Sequence, residues 1–184
     1  MKRELDHFVI AARSLEEGAA WLESRLGAAP VAGGKHPAMG THNRLLSLGP
    51  GSYVEVIAVD PDAPPPQRPR WFELDTPGMR GRIARSPELI HWAERVDDLE
   101  GALAGYPVPV DIIAFERGAY RWRMALTRDG SLPAGGSFPT LIQWEGAHPA
   151  SVLPDAGVRL ERFTQEKGIL RASFSTTSGT RTIP

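Results

Sequence analysis

The sequence predicts an α+β chain in which one strand–helix–strands module occurs twice, followed by further strand-like runs at the C-terminus. Three observations predict it. The apolar patterns run in the order strand, helix, strands, and then run in that order again. Residues 5–22, slid by 84 positions onto 89–106, match at Leu5/Leu89, His7/His91, Leu15/Leu99, Glu16/Glu100 and Ala20/Ala104. Between the copies lies a segment, 60–88, with seven prolines, through most of which no regular element can form.

In the first copy, LDHFVIAA (5–12) is apolar and β-branched enough for a strand. Ser14 then caps an amphipathic helix, LEEGAAWLESRL, which Gly27 ends. After a Gly/Pro-rich stretch and a weak strand near 31–36 come two strands, THNRLLSLG and SYVEVIAV, joined by the turn GPG. In the second copy LIHWAERV is a strand and DDLEGALAGY a short helix capped by Asp97 or Asp98. VDIIAFERG, RWRMALT and TLIQWEG are strands. Both copies end on an apolar strand interrupted by one polar residue, Glu55 and Gln143, which lie 48 and 52 residues after His7 and His91. Residues 4–60 and 89–148 are thus the two modules, 61–88 a connector pinned to the body by Trp71 and Phe72, and 149–184 an extension whose runs VRLERFTQ and ILRASFST read as edge strands.

Composition narrows the chemistry. Of 184 residues, 21 are Lys or Arg and 22 Asp or Glu, a net charge of −1 that argues against nucleic acid or an anionic membrane as partner. The absence of cysteine removes disulfides, thiolate metal sites and Cys nucleophiles. The first apolar stretch is broken by Arg13, Glu16 and Glu17, unlike a signal peptide, and no uncharged apolar run is long enough to span a bilayer. A soluble cytoplasmic protein is expected. No GxSxG elbow, P-loop, HExxH or Gly-rich dinucleotide fingerprint is present, so no organic cofactor is expected.

The blocks LDHFVIAARSLEEGAAWL, KHPAMGTHNRLLSLGPGSYVEVIAVDP, RWRMALT and FPTLIQWEGAHP, in that order and spacing, resemble the vicinal oxygen chelate superfamily and, within it, the glyoxalase-like domain group, over about residues 4–150. The resemblance implies a glyoxalase-like fold: paired βαβββ modules whose eight strands form a cupped mixed sheet, with a divalent metal or small ligand in the cup. Its members include lyases, isomerases, extradiol dioxygenases and bleomycin-resistance-type binding proteins, so the fold alone constrains function poorly. A homodimer is among the assemblies it implies.

Strand alternation then proposes which side chains enter the cup. Tyr53, Glu55 and Ile57 share one face of their strand and Val54, Val56 and Ala58 the other. In the last strand Leu141, Gln143 and Glu145 are assigned to the cup and Ile142 and Trp144 to the helix side. In RWRMALT, Arg121 and Arg123 are assigned to the cup and Trp122, Met124 and Leu126 away from it. His7, Glu55, His91 and Gln143, one from each of four strands, form the candidate metal set. Two imidazoles, a carboxylate and an amide suit Zn, Ni, Mn or Fe. The resemblance puts ligands on these strands, although Gln143 stands where a Glu is usual. A metal-free, polar-lined pocket is the alternative.

Arg121 and Arg123 suit an anionic small molecule, or else pair with Glu145 or Glu116. The resemblance puts His36, His42 and Asn43 at the rim of the pocket, with surface turn residues as the alternative, and Tyr53 and Glu145 complete the candidate substrate contacts. Glu55 and His148 are the candidate catalytic groups, His148 as a general base or simply a turn residue. The leading expectation is a metal-dependent lyase or isomerase that chelates a small oxygenated metabolite and stabilises an enolate. The alternatives are a metal-free sequestering protein and an Fe(II) extradiol-type dioxygenase.

Overall fold

Strands β1 (Arg3–Ala11) and β5 (Glu88–Val96) lie side by side and antiparallel at the centre of an eight-stranded sheet, in a computed structural model that describes residues 2–166 and 168–184. Both strands are covered on both faces, which explains why their apolar residues fall at both parities. From β1 the chain enters helix α1 (Leu15–Leu26), then β2 (Val31–His36), β3 (Thr41–Ser47) and β4 (Tyr53–Val59). Ser14 caps α1, its Oγ accepting the Glu17 N–H at 3.2 Å, and Gly27 closes it with φ +73°. A helix in the connector, α2 (Pro77–Ile83), precedes β5. The one-turn helix α3 (Leu99–Ala102) and strands β6 (Asp111–Arg117), β7 (Tyr120–Leu126) and β8 (Thr140–Glu145) follow it.

The spatial order is β2-β3-β4-β1-β5-β8-β7-β6, with β4 parallel to β1 and β8 parallel to β5, so the two halves mirror each other across the central pair. The mirror extends to irregularities. Along the central pair the register skips Asp6 in β1 and Ile90 in β5, so each strand carries one bulge. The two positions are 84 apart, the offset of the sequence repeat.

One core lies on the outer face, where Phe8, Ile10, Val54 and Val56 meet Leu22 and Leu26 of α1. The C-terminal strands do not extend the main sheet. β9 (Arg159–Glu166), β10 (Ile169–Thr176) and β11 (Gly179–Ile183) form their own antiparallel sheet, whose Leu170, Ala172 and Phe174 enter that same core. No helix among the described residues is long and apolar enough to cross a membrane.

The second core fills the concave face, and the connector builds it. Trp71, Phe72, Leu74, Met79 and Ile83 are buried against Val9, Ile57, Ala93, Met124 and Ile142. Phe72 and Glu73 adopt left-handed backbone (φ 58° and 60°), which turns the Phe72 ring into the cup. Because the concave face is apolar, β7 and β8 present it with the opposite parity from that expected. Trp122, Met124, Leu126, Ile142 and Trp144 face the cup, while Arg121, Arg123, Gln143 and Glu145 lie on the outer side, which α3 is too short to cover.

Candidate functional site

The bulge in β1 places two consecutive side chains, Asp6 and His7, where they can touch. His7 Nδ1–H donates to Asp6 Oδ1 at 2.6 Å, which leaves Nε2 to face Glu55 Oε2 at 3.6 Å. The other Glu55 oxygen accepts the Asn43 Nδ2–H at 2.6 Å. All four side chains are buried, and the Tyr53 ring stacks on His7 at 4.9 Å. Burial works against charge on both Asp6 and His7. Asp6 nevertheless accepts from His148, His7 and Trp144, and the hydrogen bonds from the two imidazoles, with the charge of His7, hold its carboxyl well below the usual range. For His7 the bond to Asp6 and the charges of Asp6 and Glu55 outweigh burial, so its pKa is raised. Burial, then the charges of Asp6 and Glu55, push the Tyr53 phenol well above its ordinary value and keep it neutral.

Asn43 is held in turn. Its Oδ1 accepts the Gly34 N–H at 2.8 Å and lies 3.4 Å from Arg117 Nη1, so the amide oxygen faces donors and its nitrogen faces Glu55. Arg117 comes from the last residue of β6, on the far edge of the sheet, and also donates to His36 Nε2 at 3.2 Å. It thereby clasps the two edges of the cup together. Gly34 makes that approach possible, because a Cβ there would sit 2.6 Å from Arg117 Cδ. His36 Nδ1–H donates to Thr41 Oγ1 at 3.1 Å, and burial, assisted by the Arg117 and His7 charges, pushes its pKa down to about 4. His36 is therefore a neutral acceptor. The space enclosed by these groups and by Trp71, Phe72 and Trp122 is about 30 Å³, room for a water or two.

The second module does not repeat this pair. By register Val9 faces Glu55 on β4, and its equivalent Ala93 faces Thr140 on β8, so Thr140 and not Gln143 is the counterpart of Glu55. His91 Nε2 accepts the Thr140 N–H at 3.1 Å and lies 3.0 Å from its Oγ1. Phe72 packs over the His91 ring at 5.4 Å, and burial, with the His7 charge, pushes the His91 pKa down to about 3. Gln143, on the outer face, accepts from Arg123 and the Leu99 N–H and donates to Asp97 O, fixing the start of α3.

The four expected metal ligands therefore do not converge. His7 and Glu55 do, His91 has its Nε2 engaged by backbone, and Gln143 is on the other side of the sheet. Two converging donors do not make a tetrahedral or octahedral site, and among the described residues no group of three or more His, Asp or Glu is placed to hold a metal ion. The donor set does not fit a divalent metal.

The remaining candidates separate. His36, Asn43 and Tyr53 line the cup with His7 and Glu55. His42 pairs with Ala58 of β4 and shares its outer face. Arg123 pairs with Glu100 of α3, Arg121 lies 4.0 Å from Glu116, and Glu145 is exposed. Arg121 thus meets Glu116 as the paired alternative had it, Arg123 pairs with Glu100 instead of either expected partner, and the guanidinium that lines the cup is Arg117. His148 Nε2–H donates to Asp6 Oδ2 at 2.9 Å while its Nδ1 accepts the Ala150 N–H, so it touches the site through Asp6. It also lines a separate cleft of about 740 Å³ at the end of the sheet, with Trp144, Arg95 and Arg159. Asp6 and Arg117 were not among the sequence candidates. Spacing held a signal for Thr140, which follows His91 by 49 residues, against 48 from His7 to Glu55 and 52 from His91 to Gln143.

A family model described as Glyoxalase-like domain matches residues 5–167. No curated protein matches the chain. Among solved structures, a hypothetical protein from Staphylococcus aureus is similar at 14% identity and a TM-score of 0.55, covering 96% of this chain and 82% of that one. The methylmalonyl-CoA epimerase of Mycobacterium tuberculosis is 22% identical at a TM-score of 0.48, covering 81% and 91%. That of Streptomyces coelicolor, in complex with 2-nitronate-propionyl-CoA, is 15% identical at 0.47, covering 79% and 96%. The likeness to the Staphylococcus aureus protein bears on the fold alone. With the family model spanning nearly its whole length, the chain belongs to the glyoxalase-like domain family.

Proposed function

We propose that the cup takes up a small oxygenated metabolite and that Glu55 and His7 move a proton on it, an isomerase or lyase reaction passing through an enolate. The observation that carries this reading is the way the pair is held. Asn43 occupies one Glu55 oxygen at 2.6 Å and Asp6 occupies His7 Nδ1 at 2.6 Å, so the remaining oxygen and the remaining nitrogen face each other at 3.6 Å on the cavity wall. Glu55 is the base for a carbon acid. His7, with its raised pKa, supplies the proton or the positive charge that an enolate oxygen needs. A metal-dependent version lacks its ligands here, and the proton transfer is assigned to side chains alone.

The test is deuterium incorporation. A panel of α-hydroxy ketones, 2-oxo acids and 1,3-dicarbonyls is incubated with the protein in D2O and C–H exchange is followed by NMR. Catalysed exchange on at least one member is expected, falling about 100-fold or more in Glu55→Gln and in His7→Ala. Binding without exchange in the wild type would overturn the reading in favour of a sequestering protein.

A further inference from the structure

Among the described residues Arg117 is the one arginine lining the cavity that also holds Glu55 and His7, and it is incompletely used. Its Nη1 serves His36 and Asn43, while Nε and Nη2 have no hydrogen-bond acceptor among the described residues. No carboxylate pairs with it there either: the neighbouring Glu116 turns to Arg121, and Glu55 is separated from it by the Asn43 amide. The guanidinium is steadied from behind by the rings of Tyr120 and Trp122, 5.8 and 5.9 Å from its carbon. A half-buried, oriented cation with free donors is built to receive an anion.

We infer that Arg117 is the specificity-determining residue of the cup and that the substrate is a small monocarboxylate, its carboxylate docked on the free edge of Arg117. This deepens the proton-transfer reading and rests on it for the word substrate. One Asn43 amide bridges Arg117 and Glu55, with its oxygen toward the guanidinium and its nitrogen on the carboxylate, so an anion on Arg117 shares the cavity with Glu55 and His7 once the Phe72 segment has moved to make room. The charge balance selects a single negative charge. Arg117 and His7, with its raised pKa, line the cavity with Glu55, and Asp6 stands behind His7, so a monoanion finds its counter-charge there and a phosphate dianion exceeds it.

The inference is tested with 2-oxobutyrate and its uncharged amide, 2-oxobutyramide, titrated against the intact chain by tryptophan fluorescence, since Trp71, Trp122 and Trp144 line the cavity. The wild type is expected to bind the acid about tenfold or more tightly than the amide. Arg117→Gln should bring that ratio to about one, and Arg117→Lys should restore a preference of about threefold, because charge remains without the fork. Melting curves recorded alongside separate this from the clasp between the sheet edges, whose loss would lower affinity for acid and amide alike. Equal affinity for acid and amide in the wild type, no binding of the acid, or an unchanged ratio in Arg117→Gln would overturn the inference. If the acid binds through Arg117 but its C3 protons do not exchange in D2O, the anion site stands and the proton-transfer reading falls.

Discussion

His91 accepts the backbone N–H of Thr140 at 3.1 Å, in the position that the first half of the cup gives to His7 and Glu55. The pseudo-twofold thus sets the pair proposed for proton transfer against a structural pair from the same template. With its Nε2 engaged and its Nδ1 buried without a partner, His91 is a neutral core residue. Thr140→Val, which keeps the backbone bond and removes only the hydroxyl, is expected to cost about 1 kcal/mol in urea unfolding and to leave ligand affinity unchanged. A change in affinity would place this pair in the site.

Asn43 orients Glu55 and also meets Gly34 and Arg117. Asn43→Ala leaves a buried carboxylate short of its best donor, at an expected cost of about 1–3 kcal/mol in stability. Exchange activity should fall more than substrate affinity does. Comparing the two losses in the same variant checks this, and an equal loss of both would mean that Asn43 only binds.

Phe72 closes the cup from a left-handed backbone, against His91 on one side and Trp71 on the other. A space of about 30 Å³ cannot hold a metabolite, so the connector must move before one binds. Phe72→Ala is expected to destabilise the fold by about 3–5 kcal/mol and to accelerate ligand association severalfold in stopped-flow fluorescence. Unchanged association would show that ligand reaches the pair without displacing the ring.

Two buried imidazoles make the fold acid-sensitive. His36 and His91 have folded pKa values pushed to about 4 and about 3, below the ordinary 6.5, chiefly by burial. Their contribution is full above about pH 6.5 and is withdrawn as pH falls through that value, at a rate on the order of 1 kcal/mol per pH unit for each. His7 has the opposite sign. Its pKa is raised, so its contribution is complete below its ordinary 6.5 and is lost as pH climbs through the raised value. Urea midpoints should therefore decline from pH 6.5 toward 4, and His91→Gln should decline less steeply. Parallel slopes would contradict the assignment.

Much of the frame was legible because it rests on local rules. Ser14, Gly27, the 84-residue offset and the faces of β4 all follow from capping, periodicity and repetition. What was not legible depends on what fills the cup. Alternation divides Trp122 and Met124 from Arg121 and Arg123, but cannot say which set faces inward, and a cup assumed polar gives the reverse of one plugged by Trp71 and Phe72. Gln143 and both arginines were misplaced for that reason. Asp6 was hidden by a bulge, which breaks the period of two, and Arg117 by its distance in sequence from Asn43, 74 residues away.

The most direct test of the divergence between the two halves is the exchange rate of one turned-over carbon acid in D2O, measured in Glu55→Gln and in His91→Gln and normalised to the folded fraction of each. A loss of about 100-fold or more is expected in Glu55→Gln, and a rate within about threefold of wild type in His91→Gln, equivalent to less than about 1 kcal/mol in the barrier. Wild-type exchange in Glu55→Gln, or a loss in His91→Gln as large as that in Glu55→Gln, would contradict that divergence.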